Sequence, residues 1–303
     1  MPPHDPVDTD SLLIKTDALL RSMHFVEESF GLKPDKDHIG ACIGYSDLVE
    51  MRPEFIDEMM ASVSDYVYTA PRQRAMRDDF ERDGRGEAAA FAMVDLKAKQ
   101  KFRPWSVKGQ FSELLLFNLL QHFFKAAPLL RKMPITTSPG LERNGADAFH
   151  IRNNAGKFVL YLGEAKTYKP KSSRLKSSLR EAVKSILDHH EKHRSELNLY
   201  VYEEFVSEEL EQIAKDYLAG KDNGIEVHLV CMVAYESGKA ATGNSADEKL
   251  ASVMQGLRDE AKEIKDEFFK DVPADKLPRL NYVLFPIHNV DSLIADFKKK
   301  LGV

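Results

Sequence analysis

In the last two-thirds of the chain, apolar positions recur in blocks whose spacing alternates between that of a helix and that of a strand. Residues 108–125 (KGQFSELLLFNLLQHFFK) are apolar on nearly every side, which predicts a buried helix. Residues 146–152 and 157–166 read as two strands, and Asn153, Asn154, Ala155 and Gly156 between them predict a hairpin. Within the second strand, Phe158-Val159-Leu160-Tyr161-Leu162 is continuously apolar, as a central strand buried on both faces would be. Residues 172–187 predict an amphipathic helix with Leu175, Leu179, Val183 and Ile186 or Leu187 along one side. Segments 197–206 and 225–235 predict strands around a helix at 207–218, which Gly220 would stop. A long helix over about 246–269, a strand at 282–287 and a helix at 291–301 follow. Leu250, Val253, Met254, Leu257, Ala261, Ile264 and Phe268 form one core-facing stripe of that long helix.

The first third is less regular. Residues 1 to about 10 read as a loose tail. Leu12, Leu19, Leu20 and Met23 predict a helix face, and 51–67 a second helix with Phe55, Met59 and Val63 at i, i+4, i+8. Residues 72–87 carry dense charge of both signs, as a solvated helix or connection would. After Pro128, residues 132–137 predict an edge strand and 138–145 a loop. Alternating strands and helices predict an α/β fold, a mixed sheet flanked by helices, over 101–303. Residues 1–100 would form a mainly helical N-terminal subdomain.

Composition narrows the class. Hydrophobic residues make up 43% and charged residues 30%, an ordinary globular balance. No apolar run is long enough to span a membrane, and the first ten residues lack the apolar core of a signal peptide. Cys42 and Cys231 stand alone, which fits a reducing cytoplasm and excludes a CxxC metal site. A net charge of -5 argues against a generally basic DNA-coating protein but leaves room for a local basic patch. Residues 166–194 supply one, with Lys169, Lys171, Arg174, Lys176, Arg180 and Lys184 following Lys166. Lys176, Arg180 and Lys184 share one helical stripe. It reads either as a DNA-backbone track or as a solvated face.

Candidate chemistry converges on one strand end. Side chains alternate along a strand, so Glu164 and Lys166 must share a face. Hairpin pairing brings Asp147 beside them. Glu113 sits in the buried helix, where a carboxylate is costly unless paired or bound to a metal. Two carboxylates suit Mg²⁺, a hard cation that favours oxygen ligands. A neighbouring lysine can offset charge growing on a phosphate. The plainer reading is a solvated ion pair, a turn aspartate and a helix-start carboxylate. His189, His190 and His193 invite a zinc reading, but an HExxH motif starting at His190 is broken by Arg194. They are read instead as a polar helix end. His150 alternates away from Asp147 and is read as structural. Tyr168 is read as packing on its neighbours.

FSELLLFNLL at 111–120, Gly145-Ala146-Asp147, Leu162-Gly163-Glu164-Ala165-Lys166-Thr167-Tyr168 and the Ser/Lys/Leu helix that follows resemble the HamA family, effector subunits of Hachiman antiphage systems. The resemblance is clearest over about 108–190. It implies a restriction-endonuclease-like core of the PD-(D/E)xK nuclease superfamily, with Asp147, Glu164 and Lys166 as catalytic residues. On the residues themselves, Asp147 and Glu164 would be the primary ligands of Mg²⁺ or Mn²⁺, and Glu113 would reach a second metal or hydrogen-bond a metal-bound water. Ala146 stands where the superfamily name has proline. The resemblance also implies DNA as substrate and a helicase-like HamB partner that restrains the nuclease. A catalytically inactive DNA-binding or helicase-regulating module and a standalone restriction enzyme are the competing readings.

Overall fold

A computed structural model describes residues 7–131, 133, 145–168, 174–200, 208–221 and 224–302. In chain order the elements are α1 (Asp17–Arg21), β1 (Met23–Glu28), β2 (His38–Ile43), β3 (Tyr45–Ser46), β4 (Val49–Glu50), α2 (Arg52–Ala61), α3 (Val63–Val67), α4 (Ala70–Arg82), α5 (Glu87–Lys99), α6 (Val107–Phe123), β5 (Ala127–Leu130), β6 (Ala148–Asn154), β7 (Lys157–Tyr168), α7 (Arg174–Tyr200), α8 (Glu208–Leu218), β8 (Glu226–Glu236), α9 (Ala246–Ala261), β9 (Leu280–Ile287) and α10 (Val290–Leu301). Among the described residues, seven strands form one sheet in the order β1-β2-β9-β8-β7-β6-β5. The middle of the sheet, β2, β9, β8 and β7, is parallel, and its margins are antiparallel.

Two apolar layers sandwich this sheet. On one side α2, α3, α6 and α10 pack over Ala165, Met232 and Phe285. On the other, α7, α8 and α9 cover Leu162, Val233 and Leu284. Alternation along the central strands therefore sorts successive residues into opposite layers, as a strand covered on both faces requires. Helix α6 is buried almost all round, as its sequence predicts. Its interior polar groups are partnered: Asn118 donates to the Leu114 carbonyl and to Ser62 Oγ, and Gln121 to the Phe117 carbonyl.

The β6–β7 hairpin forms as predicted, with a tighter turn. Asn154 pairs with Lys157, leaving Ala155 and Gly156 as a two-residue loop, both at positive φ (51° and 87°). That is the backbone of a type I′ turn, whose twist suits a hairpin. Helix α4 buries no side chain, as its charge density predicts. Helices α2 and α3 share the predicted 51–67 stretch and bury Phe55, Met59 and Val63.

Other expectations change. Leu12 and Met23 do not share a helix with Leu19: α1 is one short turn and Met23 opens β1. The hairpin of β1 and β2, which the apolar pattern does not reveal, extends the sheet through β2 and β9, so the mainly helical first third also contributes two strands. The strand expected at 197–206 begins instead as the last turn of α7, because Leu197 continues the buried stripe of Leu179, Val183, Ile186 and His193; 201–206 lie outside the described residues. The helix expected to Phe269 ends at Ala261 and resumes as one 3₁₀ turn over Asp266–Phe269. An edge strand forms at Ala127–Leu130; the strand and loop expected at 132–137 and 138–145 lie outside the described residues except for Met133 and Gly145. Among the described residues, no helix is long and apolar enough to cross a membrane.

Candidate active site

The C-terminal end of β7 carries Glu164, Lys166 and Tyr168 on the face covered by α7, while Gly163 and Ala165 face α6. Ligands of open α/β sheets bind outside such strand ends. Gly163 is small for a reason: a Cβ there would lie 2.8 Å from Leu116 Cδ2 and 3.0 Å from Ala148 Cβ. Its absence lets α6 sit directly on the sheet beside the acidic residue. Asp147 immediately precedes β6, whose first pair is Ala148 with Gly163. Its Oδ2 accepts a hydrogen bond from the backbone N–H of Ala165 at 2.9 Å, which fixes Asp147 between Glu164 and Lys166.

Glu164 is only 1% exposed, and among the described residues three side chains meet its carboxylate. Lys166 Nζ is 2.5 Å from Oε1, Ser185 Oγ donates to Oε1 at 2.7 Å, and His189 Nδ1 lies 2.8 Å from Oε2. Burial pushes the Glu164 carboxyl up, but the His189 hydrogen bond and the Lys166 ammonium more than offset it and hold it below the usual carboxylate range. Burial pulls Lys166 down; Glu164, then Asp147 and Glu113, reverse this and hold it above an ordinary lysine. All three acidic residues singled out in the sequence thus act on one ammonium. Glu113 approaches from the opposite layer, on α6, and accepts a hydrogen bond from the Tyr66 hydroxyl at 3.0 Å.

The remaining candidates divide. Lys176 is half-buried and Arg180 and Lys184 are exposed along α7, and the Arg180 guanidinium lies 5.2 Å from the centre of the Phe268 ring. Arg174 opens α7, and Lys169 and Lys171 lie outside the described residues. His150 is structural as expected: it lies in the α6 layer, buried, with Nδ1 3.0 Å from the Ala126 carbonyl. Tyr168 hydrogen-bonds Glu181. The histidine cluster is not a helix end, since α7 runs on to Tyr200. His193 Nε2 is 2.6 Å from the Tyr217 hydroxyl, and His189 belongs to the Glu164 environment. The sequence does not single out Ser185, and it marks His189 only within the histidine cluster, not as a partner of Glu164. Their i, i+4 spacing on the helix after the acidic strand was the available signal.

Among the described residues, no three His, Cys, Asp or Glu side chains lie close enough to hold one metal ion. The donor chemistry nevertheless fits Mg²⁺, which is commonly held by one or two carboxylates with water and substrate oxygens completing its shell. Asp147 and Glu164 provide two such carboxylates at one strand end.

A mixed sheet between two helical layers, with acidic and basic side chains gathered where its central strand stops, defines an α/β protein with a restriction-endonuclease-like core. The family model described as HamA matches residues 22–301, including most of the N-terminal third, and the chain belongs to the HamA family. It is a Hachiman antiphage defence protein. No curated protein matches it.

Proposed function

We propose that the chain is a Mg²⁺-dependent deoxyribonuclease, also served by Mn²⁺, and the effector subunit of an antiphage complex held in check by a helicase-like HamB partner. The observation that carries this reading is the convergence of Asp147, Glu164 and Lys166 at one strand end. Asp147 and Glu164 would hold the cation, with Glu113 in reserve from the opposite layer. When bound, Mg²⁺ neutralises the scissile phosphate and acidifies the attacking water. Lys166 stays protonated beside the carboxylates, so its ammonium can orient that water and offset charge growing on the phosphate oxygens. Lys169, Lys171, Arg174, Lys176, Arg180 and Lys184 would guide the DNA backbone toward this end of the sheet. The family membership supports the defence role.

The test is plasmid cleavage with Mg²⁺, with and without the operon partner. Glu164→Gln and Lys166→Ala should each abolish cutting while the circular dichroism spectrum is unchanged. Cutting at the wild-type rate by the double variant would sink this assignment. One observation favours the inactive-module reading: protein donors already engage both Glu164 oxygens. That reading requires that no Mg²⁺ or Mn²⁺ affinity depends on Asp147.

A further inference from the structure

We propose that Ser185 and His189 are positioning residues for Glu164, each fixing one carboxylate oxygen so that α7 aims this group toward the cation. The proposal rests on the reading of Glu164 as a cation ligand. Ser185 Oγ is 2.7 Å from Oε1 and His189 Nδ1 is 2.8 Å from Oε2. An ionised carboxylate can only accept, so the His189 ring must carry its hydrogen on Nδ1. Each oxygen offers about two lone-pair sites. One site on each is taken from the α7 side, so the remaining sites serve whatever approaches from the strand end. Lys166 Nζ takes one of them on Oε1.

The arrangement follows from matched periods. Glu164, Lys166 and Tyr168 alternate along β7, at roughly 6.6 Å per two residues. Glu181, Ser185 and His189 recur along α7 at roughly 6.0 Å per four residues. The two rows therefore run along one line of contact, with Tyr168 meeting Glu181 at one end and Glu164 meeting Ser185 and His189 at the other. A carboxylate on a strand retains rotation about its own bonds. Two donors one helical turn apart remove it, and outer partners of this kind typically govern cation affinity by about 10–100-fold.

The test measures Mn²⁺ binding to the full chain by calorimetry, alongside the melting temperature of the metal-free protein. Wild type should bind Mn²⁺ and Glu164→Gln should not. His189→Ala should bind about 10–100-fold more weakly. His189→Asn, whose amide nitrogen replaces Nδ1 as donor, should recover most of that loss. A merely structural tie between helix and strand would lower the melting temperature of His189→Ala without this selective loss and rescue. Ser185→Ala gives the same reading if His189→Ala fails to fold. Wild-type Mn²⁺ affinity in His189→Ala and Ser185→Ala overturns the proposal alone. A wild-type chain with no Glu164-dependent affinity overturns the cation reading and the proposal with it.

Discussion

Glu164 shows what one buried carboxylate demands of its neighbours. Left without partners it would face a large desolvation penalty, so lysine, serine and histidine converge on it. Removing Lys166 should therefore affect stability as well as chemistry. Its side chain is about a third exposed, and solvent screens the pair. Lys166→Ala should cost on the order of 1 kcal/mol in urea unfolding, and a cost near zero would mean that Ser185 and His189 suffice. Asp147, Glu164 and Lys166 were legible because strand alternation and hairpin pairing are local rules. Ser185 and His189 were not. Their meeting with Glu164 depends on how α7 is rotated over the sheet, which its apolar stripe fixes only to within a face.

Helix α6 and the β6–β7 hairpin were readable as elements because period and turn chemistry agreed there. The end of α7 was not, since aromatic and β-branched residues near Tyr200 imitate a strand while Leu197 keeps the helical stripe. Two predictions belong at this scale. Gly163→Val must push Leu116 and Ala148 aside, so it should cost about 1–3 kcal/mol and lower the melting temperature. An unchanged melt would show that α6 does not bear directly on β7. Ala155 occupies a left-handed position that asparagine tolerates better. Ala155→Asn should raise stability by about 0.5 kcal/mol in the same assay. The basic row Lys176, Arg180 and Lys184 lies one position, about 100°, around α7 from Ser185 and His189. If it tracks DNA, the triple alanine variant should lower the slope of log affinity against log salt by about 3. An unchanged slope would make it a solvated face.

Across the whole molecule, buried histidines set the response to acid. Burial pulls His38 down to about 4 and His150 to about 3. In the unfolded chain they titrate near 6.5, so between pH 6.5 and about 4 the unfolded state binds more protons than the folded one. Stability should fall as pH drops through that window, by on the order of 3 kcal/mol per histidine at its lower end. Urea unfolding across the interval measures this, and a flat profile would contradict it. His150→Phe should flatten part of the slope. The sandwich itself was legible from alternating periods, but not the share of the first third in its sheet. The parallel pair of β2 and β9 joins segments that no local pattern connects.

That pairing also orders assembly in time. Ile39 finds its neighbour Val283 more than two hundred residues further along the chain. On a ribosome the β6–β7 hairpin can close within moments of emerging, whereas β2 must wait, its edge groups in water, until β9 has been made. Closing so long a loop carries an entropic cost that a local pairing such as the β6–β7 hairpin does not bear. A half-synthesised chain thus holds its acidic strand end in an unfinished sheet, and β2 can join it only after β9 has been made.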